Sequence, residues 1–292
     1  MNLPYSQSLN IALNSTLQNT EISPLLKWAG GKTQLIEKIK CNLPTTYKNY
    51  YEPFVGSGAV LLKLTPKKAF INDINKQLIN LYRQMQNRPE EIILKVEELD
   101  FPPSTKDRYL SVREQYNSKI AQGTLDAECA ALMIWINKHC FNGLYRVNRK
   151  GLFNVPYNNK TSGKSIDEDN ARRVARYLQK NVTVTCLDFE DACKDVGKDD
   201  FVYFDSPYIP ESPTASFTDY SSKGFSKDDH ERLAKLFRQL DQKGAKLMLS
   251  NNDVPLARTL YAGFKIQSFA VKRMINRNAK SREGKEIIIT NY

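Results

Sequence analysis

A carboxylate stands where it could accept hydrogen bonds from an amine. The motif Asp205-Ser206-Pro207-Tyr208 directly follows an apolar run at 201–204 that is typical of a buried strand. An aromatic amine is a poor nucleophile, so acceptors for both of its hydrogens, the Asp205 carboxylate and the Ser206 carbonyl, would favour attack by its nitrogen. Pro207 favours extended backbone at Ser206 and so helps direct that carbonyl, while Tyr208 offers a face for stacking a base. The alternative is a strand end closed by an ordinary Asp-x-Pro turn.

A glycine-rich turn and a later acidic residue form a second group. Glu-Pro-Phe-Val-Gly-Ser-Gly occupies 52–58, between a predicted strand and a predicted helix. Gly56 and Gly58 would let a ligand approach the backbone closely at the N-terminus of that helix. Asp73, at the end of the next predicted strand, is placed to hold ribose hydroxyls. The alternative is a tight turn followed by a helix cap.

A third group combines an aromatic residue, a glycine pair and a lysine. Lys-Trp-Ala-Gly-Gly-Lys-Thr at 27–33 ends like a phosphate-binding loop. The spacing excludes that interpretation, because such a loop needs a glycine where Leu26 stands. Trp28 and Lys32 could instead close over a small polar ligand. The alternative is a basic turn before the helix predicted at 34–40.

The elements that must position these groups alternate along the chain between short apolar runs and helical patterns. This alternation predicts an α/β core with a mostly parallel sheet. Strands are predicted at 50–52, 68–72, 182–186, 201–204, 246–249 and 286–290, and helices at 59–64, 78–85, 227–240 and 254–260.

The middle of the chain has a different pattern. Residues 90–137 are predicted to be helical, with a break at Pro102-Pro103, and residues 141–157 are predicted to form a hairpin or an exposed loop. We therefore expect a flexible arm at 1–22, a core made of 23–86 and 170–292, and a helical insertion at 87–169.

Composition narrows the classes of function. Lys and Arg total 43 against 32 for Asp and Glu, and the resulting net charge of +11 favours polyanionic partners such as nucleic acid. Five cysteines without a Cys-x-x-Cys pair, beside only two histidines, argue against a disulfide scaffold or a zinc site, so no metal is expected. No apolar run reaches the roughly 20 residues of a membrane span, and the polar segment 1–21 is unlike a secretory signal. We expect a cytoplasmic protein without membrane association.

Taken in chain order, these motifs resemble those of the Dam-type (D12 class) adenine-N6 DNA methyltransferases, and most closely the DpnII-type GATC methyltransferase. The likeness runs from Leu25 to the C-terminus and includes 217–220 and 286–292. It implies a Rossmann-like S-adenosylmethionine-dependent methyltransferase core with an inserted helical DNA-recognition domain. It also implies methyl transfer from S-adenosylmethionine to a flipped adenine of double-stranded DNA within a restriction-modification system. A cognate restriction endonuclease acting on the same site is then the expected protein partner.

Residue roles follow from the same resemblance. Trp28 and Lys32 would lie near the methionine part of the cofactor. Asp73 would hold the ribose, and Asp188 with Phe189 would hold and stack the cofactor adenine. The implied cofactor-binding residues are Trp28, Lys32, Phe54, Gly56, Gly58, Asp73, Asp188 and Phe189, and the implied catalytic residues are Asp205, Ser206, Pro207 and Tyr208.

The segment 141–148 is similar to the DNA-reading hairpin of that family. Arg146 could make two hydrogen bonds to guanine in the major groove, and Leu144 or Tyr145 could wedge between bases. The DNA-binding residues expected here are Asn142, Leu144, Tyr145, Arg146, Asn148, Arg149 and Pro156. The alternative is a surface turn with solvated charges.

Two departures from the family pattern bear on these expectations. Ser206 stands where the family usually has proline, although serine keeps the backbone carbonyl. Asn-Asn-Lys at 158–160 replaces the Gly-Arg-Tyr that often follows the hairpin, which bears on the target sequence. Three interpretations therefore stay open: an active adenine methyltransferase, a DNA-binding paralogue with weak or no catalysis, and methylation of RNA or of the cytosine amine.

Overall fold

A computed structural model describes residues 21–28, 30, 32, 35–161, 163–210, 224–272 and 283–292. Nearly all of the expected 1–22 arm and the motif at 217–220 lie outside the described residues. The strands are β1 (Tyr50–Glu52), β2 (Ala69–Asn72), β3 (Val182–Thr185), β4 (Phe201–Phe204), β5 (Lys246–Asn252), β6 (Lys265–Lys272) and β7 (Glu283–Thr290). The helices are α1 (Ile36–Cys41), α2 (Ala59–Leu64), α3 (Lys76–Asn87), α4 (Pro89–Asp100), α5 (Lys106–Gln122), α6 (Ala127–His139), α7 (Glu168–Asn181), α8 (Phe189–Ala192), α9 (Lys227–Gln242) and α10 (Pro255–Leu260).

The strands form one sheet in the order β3-β2-β1-β4-β5-β7-β6. The pairs from β3 to β5 are parallel, and β7 runs antiparallel to both of its neighbours. Each side chain of β4 is buried, as expected for a central parallel strand covered on both faces. The sheet confirms the predicted α/β fold, whereas the sequence patterns had not identified β6.

The strand order reverses direction between β1 and β4. From β1 the chain goes to β2 on one side, and from β4 it goes to β5 on the other. In open α/β sheets, the crevice beyond the carboxyl ends of two such strands is where ligands bind. The motif at 52–58 begins in β1, and the motif at 205–208 follows β4, so both reach this crevice.

A helical bundle occupies the chain between β2 and β3. Helix α6 is buried along nearly its whole length and packs against α3, α4 and α5, and α7 packs against α3 and α4. The break predicted at Pro102-Pro103 is confirmed. A second break, at Gly123 with φ of +68°, ends α5 and had not been predicted. None of the helices in the described part of the chain is long and apolar enough to cross a membrane.

Residues 141–157 form a hairpin, which confirms one of the two predicted forms. Antiparallel bridges join Cys140 to Tyr157 and Val147 to Phe153. At its tip, the Asn148 amide donates to the Leu152 carbonyl over 2.8 Å. Because Phe153 is buried within the core shared with the helical bundle, the hairpin is anchored on one face and is not a free loop.

Candidate active site

A pocket with a volume of about 290 Å³ opens at the carboxyl ends of β1, β2 and β4. It therefore lies in the crevice that the strand order predicts. Most of the expected cofactor-binding and catalytic residues line it: Trp28, Lys32, Phe54, Gly56, Asp73, Asp205, Ser206, Pro207 and Tyr208. The fold thus brings together three motifs that are far apart in the chain.

The turn after β1 requires glycine at two positions. Gly56 and Gly58 have φ angles of +50° and +72°, which favour glycine. A Cβ atom on Gly58 would lie only 2.7 Å from the hydroxyl oxygen of Tyr82. That hydroxyl donates to the Gly56 carbonyl over 2.9 Å, so Tyr82 holds the turn in place from α3. Gly58 supports the turn from the start of α2 and does not line the pocket.

Asp73, which follows β2, lies beside this turn. Its carboxylate accepts hydrogen bonds from the backbone amides of Gly56 at 3.1 Å and Asn75 at 2.9 Å. Burial raises the pKa of Asp73 to about 6, while these amide donors oppose the rise. A carboxylate held on a glycine turn in this way suits the paired hydroxyls of a ribose.

A buried amide on β2, which sequence reasoning missed, organises three loops around the pocket. The Asn72 side chain donates to the carbonyls of Pro53 at 3.1 Å and Leu187 at 3.0 Å. Its oxygen accepts from the Leu187 amide at 2.8 Å. Asn72 therefore ties the turns after β1 and β3 to the end of β2. Its place directly before Asp73 at a strand end was the available signal.

Asp205 is held by a cation and a hydroxyl. The ammonium of Lys32 lies 2.6 Å from its Oδ1 atom, and the Ser250 hydroxyl donates to the same oxygen over 3.1 Å. The Tyr203 hydroxyl contacts Ser250 at 2.9 Å. Burial raises the pKa of Asp205 above its usual range, and Lys32 and Ser250 partly offset that rise. The carboxylate is thus oriented by residues from β4, β5 and the 27–33 segment.

The loop after β4 is fixed at its far end by β5 and β7. The Ile209 amide donates to the buried Asn251 side chain over 2.9 Å. The Tyr208 hydroxyl donates to Glu286 over 3.1 Å, and the Lys32 ammonium lies 4.8 Å from the centre of the Tyr208 ring. These contacts hold the aromatic face of Tyr208 in the pocket. Sequence patterns could not assign Asn251 or Glu286 to this loop, because both come from strands far along the chain.

Two further polar groups in the pocket wall are buried. Glu52 accepts a hydrogen bond from the Tyr50 hydroxyl over 2.7 Å, and burial raises the pKa of its carboxyl to about 8. The Ser206 hydroxyl is buried and has no hydrogen-bond partner among the described residues. Glu52 was not among the expected site residues. Its signal was an acid placed within an apolar strand end.

Two expected cofactor residues, Asp188 and Phe189, do not line the pocket. Asp188 caps α8 by accepting from the Glu190 amide at 3.0 Å, and it pairs with Arg232 at 2.8 Å. The ring of Phe189 is buried, with its centre 5.5 Å from that of Phe54. Phe189 therefore supports a residue that lines the pocket. The contacts of Asp188 and Phe189 with a cofactor adenine stay predictions.

The expected DNA-binding residues lie along the 141–157 hairpin. Its exposed members are Asn142, Arg146, Asn148, Arg149 and Pro156, and Leu144 is half-buried. The Arg146 guanidinium is held by the Asn154 side chain, whose oxygen accepts from Nε over 2.8 Å. An exposed arginine in a fixed direction can contact a nucleic acid.

Tyr145, expected as a possible wedge between bases, is buried in this structure. Tyr145 is only 4% exposed, and its ring stacks on Trp28 with the ring centres 5.0 Å apart. It turns inward because its neighbours on the bundle and Trp28 offer an apolar surface. The aromatic residue that does face solvent at the base of the hairpin is Phe141, which is 50% exposed.

The arrangement of motifs around the pocket defines a class of protein. A glycine turn after β1, an acid after β2 and an Asp-Ser-Pro-Tyr motif after β4 face one pocket of a mostly parallel sheet. This is the organisation of a Rossmann-like methyltransferase. Within the described ranges, no group of three or more His, Cys, Asp or Glu side chains could hold a metal ion.

The chain belongs to the family of D12 class N6 adenine-specific DNA methyltransferases, whose model matches residues 28–275. It is 42% identical over 281 residues to the Type II methyltransferase M1.LlaDCHI of Lactococcus lactis subsp. cremoris, covering 94% of this chain and 98% of the relative. It is 43% identical over 290 residues to the Type II methyltransferase M.MjaIII of Methanocaldococcus jannaschii, covering 93% and 100%. A DNA adenine methylase of Vibrio cholerae is 34% identical over 260 residues, covering 88% and 91%.

The family settles the reaction class that the motifs had left open. The protein is a DNA methyltransferase of a class that acts on adenine N6. Membership also implies S-adenosylmethionine as the methyl donor.

Proposed function

We propose that this enzyme methylates a flipped adenine within a specific duplex sequence, and that this sequence is GATC. The observation that carries the proposal is the position of Asp205, which shares one pocket with the glycine turn and Asp73. A methyl donor held by the turn would therefore lie beside the carboxylate. The choice of GATC rests on the resemblance to DpnII-type methyltransferases.

The residues present fit S-adenosylmethionine. Asp73 offers a carboxylate for the ribose, the glycine turn allows close approach, and Trp28 and Phe54 supply apolar surface. Glu52 and Lys32 place a carboxyl group and an ammonium group where the ends of the methionine part could bind. When bound, the cofactor supplies an electrophilic methyl group on a sulfonium. We propose no metal in this reaction.

The polar residues of the pocket suit an adenine amine as nucleophile. Asp205 can accept one amine hydrogen and the Ser206 carbonyl the other, which stabilises charge that develops on nitrogen as the new bond forms. Lys32 occupies an Asp205 oxygen at 2.6 Å, so it must share or release that oxygen when the amine arrives. Tyr208, fixed by Glu286, offers its face to the flipped base.

We assign recognition of the DNA target sequence to the insertion at 87–169 and to its hairpin. Arg146 is exposed and pre-oriented by Asn154, which suits a contact with guanine through two hydrogen bonds. Arg149 is exposed near the tip and can reach phosphates. Because Tyr145 is buried, we assign the wedge between bases to exposed Phe141 or half-buried Leu144.

The biological setting is proposed from chemistry and resemblance. The relatives M1.LlaDCHI and M.MjaIII carry the description Type II methyltransferase. We propose that this chain protects host DNA from a restriction endonuclease that cuts at the same site. Its five free cysteines and its DNA substrate favour a cytoplasmic location.

The deciding experiment measures transfer from methyl-labelled S-adenosylmethionine to two duplexes. One contains a single GATC, and the other carries N6-methyladenine at that position on both strands. Transfer to the first duplex alone supports the proposed base and site. Transfer to both would place the target elsewhere, and randomised duplexes would then identify it.

The same assay addresses an inactive DNA-binding paralogue, which the Ser206 departure suggested. Family membership favours an active enzyme. If the natural chain binds cofactor and DNA without transfer, and Ser206→Pro restores transfer, the paralogue is the correct interpretation. If Ser206→Pro changes the rate of an already active enzyme, serine only tunes the backbone at the catalytic motif.

A further inference from the structure

The 141–157 hairpin is packed directly against the wall of the cofactor pocket. Trp28 lines the pocket, and its ring stacks on Tyr145 at a centre distance of 5.0 Å and an interplanar angle of 21°. Trp28 also lies against Gly56, where an added Cβ would be 3.2 Å from the indole ring. Tyr145 is followed directly by Arg146, the proposed base-reading residue. The stacked rings of Trp28 and Tyr145 thus connect the pocket to the residue that precedes Arg146.

A second connection runs through Asn137 on α6, which is 4% exposed. Its side-chain oxygen accepts from the Lys27 amide over 2.8 Å. Its nitrogen donates to the Lys27 carbonyl over 2.9 Å and to the Gly143 carbonyl over 3.0 Å. A single buried amide therefore joins the segment before Trp28 to the turn that begins the hairpin.

The turn at Gly143 and the segment around Lys27 are packed too closely to move independently. Gly143 has a φ angle of +64°, and an added Cβ would lie 2.5 Å from the Cβ of Lys27. The hairpin turn is consequently in close contact with the Lys27 side chain. Through Asn137, the same turn is also hydrogen-bonded to the Lys27 backbone. A ligand that fixes Trp28 from the pocket side will also restrict Lys27, its neighbour, and through Asn137 the turn at Gly143.

We propose that Asn137 is a positioning residue that couples the cofactor pocket to the DNA-reading hairpin. Cofactor in the pocket then raises the affinity for the recognised duplex, and the duplex raises the affinity for cofactor by the same factor, as thermodynamic linkage requires. The inference rests on the proposed roles of the pocket and the hairpin. It assigns to Asn137 a part in the reaction although the residue touches neither cofactor nor DNA.

The chain offers a matched control in Asn117 on α5. Its side-chain oxygen accepts from the Phe153 amide over 2.8 Å, and its nitrogen donates to the Phe153 carbonyl over 3.0 Å. Asn117 therefore clamps the returning arm of the same hairpin with the same chemistry. It makes no hydrogen bond to the 27–33 segment in the described part of the chain and does not line the pocket.

The experiment uses the full chain, a fluorescent duplex with one target site, and S-adenosylhomocysteine as a probe that cannot transfer methyl. The duplex Kd is measured with and without the probe, and the ratio of the two values is the coupling factor. We expect a factor of about 5–150 for the natural chain. Asn137→Ala should bring the ratio to within about twofold of one, whereas Asn117→Ala should weaken both Kd values and keep the natural ratio.

Three results would overturn the inference: a ratio of one in the natural chain, a natural ratio in Asn137→Ala, or an equal loss of coupling in Asn117→Ala. Thermal unfolding shows whether each variant is folded, and Asn137→Ser, which keeps one polar group, replaces Asn137→Ala if alanine prevents folding. Methyl transfer by the natural chain is measured in parallel. Failure of transfer contradicts the proposed function, whereas active transfer with a ratio of one contradicts only the coupling.

Discussion

Removal of the Lys32 cation should shift the pH dependence of catalysis. Lys32 is 5% exposed and lies 2.6 Å from Asp205, whose side chain is 20% exposed. Lys32→Met would keep much of the side-chain volume and remove the charge. The carboxylate would then lose the partner that opposes the effect of burial on its pKa.

The size of the Asp205 pKa shift follows from the loss of its ion pair with Lys32. An opposite charge at this distance lowers a carboxyl pKa by about 1–3 units, equivalent to about 1.4–4 kcal/mol at 1.36 kcal/mol per unit. Breaking a fully buried ion pair costs about 3–5 kcal/mol. The loss of folding free energy in Lys32→Met should lie near the low end of about 3–5 kcal/mol, because Asp205 keeps the Ser250 hydrogen bond and some contact with solvent.

The pH profile should shift to higher pH, because the proposed reaction needs Asp205 ionised. The Asp205 pKa is already raised by burial and is lowered by Lys32, so Lys32→Met raises it further. A larger fraction of Asp205 is then protonated at any given pH. As the pH falls, the variant loses the ionised carboxylate at a higher pH than the natural chain does. The acid limb of kcat/KM for the duplex should move up by about 1–3 pH units, as measured by labelled methyl transfer at saturating cofactor.

Lys32→Arg is the control, because it keeps a cation near Asp205. Its acid limb should stay near that of the natural chain even if the altered geometry lowers the maximum rate. An acid limb that does not move in Lys32→Met would refute the reasoning, and would mean that another group sets the protonation state of Asp205.

Four further predictions test the other parts of the site. Asp205→Ala should abolish turnover and leave S-adenosylmethionine binding largely intact by calorimetry; persistent turnover would mean that the carboxylate is misassigned. Burial raises the pKa of Asp73 to about 6, so cofactor affinity should fall as the pH is lowered through about 6, and Asp73→Asn should bind weakly without that step. Arg146→Ala should cost about 1–3 kcal/mol in discrimination at one base pair, whereas an equal loss on every sequence would indicate a phosphate contact. Gly58→Ala should reduce the free energy of unfolding by about 1–3 kcal/mol, because its φ is +72° and the new Cβ would meet the Tyr82 hydroxyl at 2.7 Å; an unchanged urea midpoint would contradict this.

The sequence alone identified the elements whose causes are local. The buried strand before Asp205 and the glycine turn at 52–58 could be predicted because a short apolar run and a need for positive φ angles leave residue-type signals within a few positions. The same applies to the helix break at Pro102-Pro103. The break at Gly123 was missed, although glycine at a helix end is itself a local signal.

Partnerships between distant segments were decided by the tertiary structure. Lys32 and Asp205 are 173 positions apart in the numbering, and the contact exists because the crevice at β1 and β4 brings their segments together. Ser250 reaches Asp205 because β5 lies beside β4. No spacing rule connects such residues, since the contact depends on strand order.

In the hairpin, too, the sequence predicted which residues are present, whereas the tertiary structure decided where their side chains point. The sequence indicated that 141–157 carries aromatic and basic residues in a turn, and it placed Arg146 among them. It could not show that Tyr145 turns inward to Trp28 while Phe141 faces solvent. That choice depends on the apolar surface that the folded bundle and the 27–33 segment present, because burial of an aromatic ring is favourable only where a complementary surface exists.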